Sequence, residues 1–424
     1  MTRPTELASG RGGAASVGRV VIIGPGKLGC GYLAPMFLNA GWETVLAARS
    51  PAQAAHITEA GGFFVRTGRR SDAFDLQQSA VAIGTDAFRR AVCAADLVTT
   101  AVGRENVGGL GPHLAHALAC RRASPLDVWV VENADAAPVL EHAVRGAAAR
   151  SGIALPSVGF AGAIATPVVA RGDWREPGRP EFVRDGIDGL LVDESHLMGP
   201  VPMLPGVRGT PLYRERLREK VFVFNAGHAL FAYLGARCEY SRIDEAARDP
   251  LLRTLVEGCL LETRRALIRV HRGLGDAVVA PVAEAMRRYE NVELEDTILR
   301  VARRPIRKLD PDGPLVGATE LVWTTSGRMP GPFVLAIANA LLHSDRTDPE
   351  ALRLAAMLRR QGVRAVLLEV CGLEPDNALA RAVTVAYQRM CVGRERARRA
   401  AAHPRRSKSS AAPLLMRPVE AVAP

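Results

Sequence analysis

The sequence is poor in the residues that chelate metals and form bridges. Its seven cysteines (Cys30, Cys93, Cys120, Cys238, Cys259, Cys371 and Cys391) are scattered, odd in number and without a C-x-x-C pair. That excludes a zinc ribbon, a redox dithiol and a disulfide framework, and free thiols are expected. The nine histidines are equally dispersed. Only His113 and His116 stand three apart, with no thiolate or carboxylate cluster beside them, and no metal site is expected. No apolar run approaches the ~18 residues of a membrane-spanning helix. The first eighteen residues, rich in Gly, Ala and Ser, hold no hydrophobic segment that reads as a signal or anchor. A soluble, cytoplasmic chain with no membrane partner is the expectation. Lysine is scarce as well: of 55 basic residues only Lys27, Lys220, Lys308 and Lys408 are lysine. A guanidinium keeps its proton near neutral pH, so such a chain reserves lysine for places that need a compact, titratable amine.

What is present suffices for two domains. The chain has 424 residues, 48% hydrophobic and 23% charged, an ordinary globular balance that buries a large core. The net charge of +11 invites a nucleic-acid reading, and its distribution argues against one. Arg394, Arg396, Arg398, Arg399, Arg405, Arg406 and Lys408 stand against Glu395 alone, which places more than half of the excess in one short stretch without base-stacking aromatics. Residues 393–424 are read as a basic disordered tail and 1–18 as a disordered N-terminus.

From Arg19 the sequence runs Arg-Val-Val-Ile-Ile-Gly-Pro-Gly-Lys-Leu-Gly. This is a buried parallel strand, a glycine loop and the start of a helix, followed by a second strand at Thr44–Ala47. The G-x-G-x-x-G of Gly24, Gly26 and Gly29 therefore lies in the context of a dinucleotide-binding fingerprint. Gly24 serves the tight turn, Gly26 the approach of a pyrophosphate, and Gly29 the close packing of helix on strand. Lys27 and Leu28 complete the loop as cofactor-binding candidates. Further strands are read at 95–102, 127–131 and 157–160, and helical periodicity takes over from Pro211 to about Gln388. The expected fold is an α/β N-terminal Rossmann-type doubly wound sheet (19–205) followed by a mainly α-helical C-terminal domain (206–392) for substrate and catalysis.

Lys220, Asn225 and His228 occupy a K-x4-N-x2-H spacing at the start of that domain's first long helix. On an α-helix Asn225 lies about 140° and His228 about 80° around from Lys220, close enough for all three to face one cleft. Gly227 beside them permits a close approach. Removing hydride from an alcohol carbon requires a base for the hydroxyl proton and donors for the developing oxyanion; a desolvated lysine and an amide supply both without metal.

This stretch, continued as Ala-Leu-Phe-Ala-Tyr-Leu-Gly at 229–235, resembles the catalytic helix of the polyol-specific long-chain dehydrogenases, most of all the mannitol-1-phosphate 5-dehydrogenases. The likeness extends to the glycine loop, Leu97–Gly103, Glu132-Asn133, Arg304–Leu309 and Val370–Leu373, and spans about residues 19 to 390. The resemblance implies a zinc-independent, typically monomeric oxidoreductase of CH–OH groups, with Lys220 as general base, Asn133 and Asn225 holding the reacting oxygen and His228 orienting the substrate. It also implies that Val102, in the Leu97–Gly103 match, lines the cofactor. Where the family carries an Asp-Arg pair, this chain reads Ala161-Gly162-Ala163-Ile164-Ala165-Thr166-Pro167, which loosens the substrate.

At the end of the second strand Ala47-Ala48-Arg49-Ser50 stands where an NAD enzyme carries Asp. Arg49 and Ser50 without the acid favour NADP(H), with NAD(H) possible. Arg303, Arg304, Arg307 and Lys308 are candidate ligands of a substrate phosphate. The first expectation is thus a dehydrogenase interconverting a polyol or sugar phosphate with its ketose. A β-hydroxyacid-type dehydrogenase, or a degenerate NADP-binding regulatory protein, remains the alternative.

Overall fold

The computed structural model describes residues 17–121, 125–132, 134–274 and 282–402. The chain forms two compact units, Met1–Tyr213 and Arg214–Pro424.

The first unit is built on an eight-stranded sheet. In chain order its strands are β1 (Arg19–Ile23), β2 (Glu43–Ala48), β5 (Val81–Ala82), β6 (Leu97–Thr100), β7 (Leu126–Val130), β8 (Val158–Ala165), β11 (Leu190–Asp193) and β12 (Val207–Thr210), arranged β12-β11-β8-β7-β6-β1-β2-β5. From β5 to β8 every neighbouring pair is parallel, while β11 meets β8 antiparallel. Val20 to Ile23 are all fully buried. Val20 and Ile22 enter one core with Phe37, Trp42 and Trp129; Val21 and Ile23 enter the other with Phe88, Leu114 and Leu140. A strand that alternates between two cores must be covered on both faces, which is why it reads as an unbroken apolar run. The order reverses between β1 and β6, where a doubly wound sheet opens its crevice.

A four-stranded sheet, β4-β3-β10-β9, accompanies it, formed by β3 (Gly62–Thr67), β4 (Arg70–Asp75), β9 (Val169–Arg171) and β10 (Glu181–Arg184). The sequence between Arg171 and Pro205, mixed and with several Gly and Pro, reads as a strand or two, and no strand was read at β3 or β4. Phe63, Val65, Trp174 and Phe182 join the core of Val20 and Ile22.

The second unit is helical. Ala226–Arg237 is apolar nearly all round, and nine consecutive or near-consecutive residues from Ala226 to Gly235 are buried, so it forms the centre about which the other helices pack. Pro250–Val270 starts on Asp249, whose carboxylate caps Leu252 N–H at 2.8 Å, with Pro250 in the first turn. Pro349–Cys371 starts in the same way on Asp348.

Two boundaries differ from the sequence reading. The strand β12 pairs with β11, so the first unit runs past position 205 to Tyr213. The helix Ala378–Ala402 continues past position 393, and Arg394 donates to Leu342 O at 3.1 Å, so order extends into the stretch read as tail.

Candidate active site

In the first unit the glycine loop joins β1 to a π turn (Gly29–Leu33) and the helix Ala34–Asn39. Gly24 has φ +102°, and a Cβ there would lie 2.5 Å from Ala101 O, so both its conformation and its closeness to the end of β6 require glycine. Gly26 is exposed with nothing within 4 Å of a Cβ position, leaving open space above its backbone. A cradle of this kind fits a pyrophosphate. Two long-range bonds hold the loop from outside: Trp174 Nε1 donates to Pro25 O and Lys27 Nζ to Ala170 O, both at 2.6 Å. Lys27 thus engages β9 in this structure, and Leu28 is partly buried.

Glu132, to which the sequence reading gave no role, is buried at the end of β7 and accepts from the N–H groups of Val102 (2.8 Å) and Gly103 (3.0 Å). It fixes the loop after β6, opposite the glycine loop. Its neighbour Asn133 lies outside the described residues. Arg49 is exposed at the end of β2, whereas the Ser50 hydroxyl caps the helix Pro51–Ala60 by accepting from Gln53 N–H, which commits it to a structural bond. The stretch that departs from the family pattern is β8 and its exit. Gly162 leaves space that the Tyr213 ring fills, and Thr166 Oγ1 donates to Gly189 O at 3.1 Å.

In the second unit the sequence expectation of a regular α-helix through Lys220 is corrected. Lys220–Asn225 is a π turn between the helices Tyr213–Glu219 and Ala226–Arg237, with Ala226 N–H donating to Val221 O five residues back. A π turn places residue i+5 about one turn from residue i, so Lys220 and Asn225 share a face rather than standing about 140° apart.

Lys220 is partly buried. Desolvation, with the guanidiniums of Arg288 and Arg307 adding like charge, lowers its amine to about 7. Arg288 is itself buried and lies 4.2 Å over the Phe224 ring. Asn225 and His228 are partly exposed. His228 Nε2 is 3.4 Å from Asp296 Oδ2, and Asp296 receives both Nε and Nη2 of Arg300. Burial would raise the Asp296 carboxyl, but bonding from His228 and Arg300 overcomes it and holds the group well below the usual range. Arg288 and Asp296 were invisible to motif reading, because each lies more than 60 residues along the chain from the group it serves.

The basic cluster divides. Arg304, at φ +60°, donates its Nε to Glu350 at 3.0 Å and its N–H to Asp348 at 2.6 Å, and Lys308 Nζ donates to Arg303 O. Arg304 and Lys308 are thereby tied into the fold, and burial and Arg307 push Lys308 down to about 7. Arg303 is exposed, and Arg307 bears on Lys220. Among the described residues no group of three or more His, Cys, Asp and Glu lies together as a metal site, and no helix is long and apolar enough to cross a membrane.

Comparison with known proteins agrees with this architecture. Residues 213–391 match the mannitol dehydrogenase C-terminal domain. The chain is 29% identical to a mannitol-1-phosphate 5-dehydrogenase of Pseudarthrobacter chlorophenolicus, over 86% of this chain and 96% of that protein. It is 28% identical to one of Bacillus pumilus, over 85% and 97%. Among solved structures, Pseudomonas fluorescens mannitol 2-dehydrogenase, in ternary complex with NAD and D-mannitol, superposes with a TM-score of 0.67 at 15% identity, covering 92% of this chain and 95% of that one. A substrate-free D-sorbitol dehydrogenase superposes at 0.64 and 15%, covering 90% and 94%. At these identities the structures establish the fold. The chain therefore has the fold of the mannitol dehydrogenases, a Rossmann-like parallel-sheet unit followed by a helical unit whose residues 213–391 match the mannitol dehydrogenase C-terminal domain.

Proposed function

We propose that this protein is a zinc-independent, nicotinamide-dependent oxidoreductase that interconverts a polyol or polyol phosphate of the mannitol-1-phosphate kind with its ketose, using NADP(H) in preference to NAD(H). The observation that carries this reading is the Lys220 amine, lowered to about 7 on a π turn that sets Asn225 on the same face, within a region that matches the mannitol dehydrogenase C-terminal domain. A lysine that titrates near neutrality is a base in one direction and an acid in the other.

The cofactor would be held by the loop Gly24–Gly29, with Arg49 at the adenosine 2′ position and Val102, fixed by Glu132, on the facing loop. When bound, it supplies the hydride acceptor or donor. In oxidation the neutral Lys220 amine takes the proton of the substrate hydroxyl. The Asn225 amide, and Asn133 by the family pattern, donate to the oxygen as negative charge grows on it. His228, steadied by Asp296, bonds a neighbouring hydroxyl. Burial, with Arg288 and Arg307 adding like charge, favours the neutral amine, and the positive field of the two arginines favours the alkoxide. Arg307 and the exposed Arg303 are the members of the basic cluster suited to a substrate phosphate. In reduction the Lys220 ammonium returns the proton.

The test is a panel of free polyols, polyol phosphates and 2-hydroxy acids, assayed for NADPH and NADH formation in the presence of EDTA. Turnover of a polyol or its phosphate that survives the chelator supports the reading. Turnover of hydroxy acids alone, or a requirement for added zinc, overturns it.

A further inference from the structure

The π turn is met at its end by a side chain from a distant element. The helix Val282–Tyr289 ends on a buried tyrosine whose hydroxyl donates to Phe224 O at 2.6 Å. The backbone N–H of His228 bonds to the same phenolic oxygen. In an unbroken α-helix that N–H would go directly to the carbonyl of Phe224, four residues back. The phenol is therefore inserted into this rung of the ladder, accepting from one side and donating to the other. An inserted side chain opens a helix, and the π turn Lys220–Asn225 ends at this rung.

Gly227 makes the insertion possible. A Cβ at that position would lie 2.5 Å from Tyr289 Oη. The ring is fixed by its neighbours, with centroids 5.0 Å from His228, 5.5 Å from Phe224 and 5.4 Å from Phe231.

We propose that Tyr289 is a positioning residue: its inserted hydroxyl holds the helix in the π register that brings Lys220 and Asn225 onto one face. The inference rests on the reading of Lys220 as the proton-transfer group and adds the element that sets its geometry. Without the phenol the rung closes toward α-helix, and Asn225 turns away from the amine.

Tyr289→Phe removes the inserted group and keeps the ring. It is expected to lower kcat about 10- to 100-fold, as a displacement of about 1 Å in a reacting group does. The midpoint of the pH–rate profile should move up from about 7 as the amine leaves its enclosure. Cofactor Kd should stay within about twofold, because the glycine loop belongs to the other unit. Gly227→Ala, which places a methyl where the hydroxyl sits, should give the same signature. Incorporating 4-aminophenylalanine at position 289 restores a donor to Phe224 O and should recover most of the lost turnover. Wild-type kcat and an unshifted midpoint in Tyr289→Phe overturn the proposal, as does failure of both substitutions to fold, which would make the tyrosine structural only. Lys220→Ala is assayed alongside. If it stays active, the reading of the base fails; if it is inactive while Tyr289→Phe behaves as wild type, only the role of Tyr289 fails.

Discussion

Replacing Lys220 by methionine is expected to stabilise the protein while sharply lowering its turnover. Burial, with Arg288 and Arg307 adding repulsion, holds the amine at about 7, against about 10.4 for a lysine in an unfolded chain. At neutral pH the unfolded chain keeps a proton that the folded chain half releases, and integrating that difference puts the cost to folding at about 4 kcal/mol. The sign follows from the proton count. Between about pH 7 and 10 the unfolded state binds more protons, so stability rises with pH across that window. Methionine preserves much of the side-chain volume and has nothing to titrate. Urea unfolding of both proteins should find the variant more stable by about 4 kcal/mol near pH 7, and by only about 1 kcal/mol near pH 9.5. Lys308, also lowered to about 7 by burial and Arg307, tilts both proteins alike and cancels in the comparison. Turnover should fall by the ~10²–10⁴ of a lost general base. Equal stability at neutral pH with parallel pH slopes would refute the reasoning, because an ammonium that costs nothing to bury is no base near neutrality.

Polyol oxidation should rise with pH through one ionisation near 7 and level off, with ketose reduction falling through the same midpoint; initial rates across pH 5 to 10 test this, and a flat profile would contradict it. Glu132→Gln leaves a single acceptor for the Val102 and Gly103 N–H groups, so it should lower stability and weaken cofactor binding together, by about 1–3 kcal/mol, read by thermal unfolding and by fluorescence titration. Arg49→Ala should weaken NADPH binding by roughly 1–3 kcal/mol and leave NADH unchanged; tighter NADH than NADPH binding in the parent would already exclude the assigned role.

How much of this was legible in the sequence depends on distance along the chain. The unbroken Val20–Ile23 run, its glycine loop and the following helix and strand are local, and each constrains backbone that lies within about twenty residues of it. Gly24 must take a positive φ, so the sequence advertises the turn. Lys220, Asn225 and His228 fall within nine residues, and their types and spacing marked them as one group. What stayed hidden depends on pairs that no local period relates. The four-stranded sheet joins β3 to β10, more than a hundred residues on, through short strands that carry no strong alternation. Arg304 and Lys308 looked like free cations until Glu350, Asp348 and the Arg303 carbonyl were brought to them.

The sequence by itself determined which chemistry was on offer: a titratable amine, an amide and an imidazole on one helix, behind a fingerprint for a dinucleotide. Only the tertiary structure decided how that chemistry is set. Burial and two arginines bring the amine to neutrality, and Tyr289, 64 residues beyond Asn225, enters the helix through the space left by Gly227. A helix carries its propensities in its own residues, but an inserted hydroxyl and a desolvated charge are properties of what packs against it.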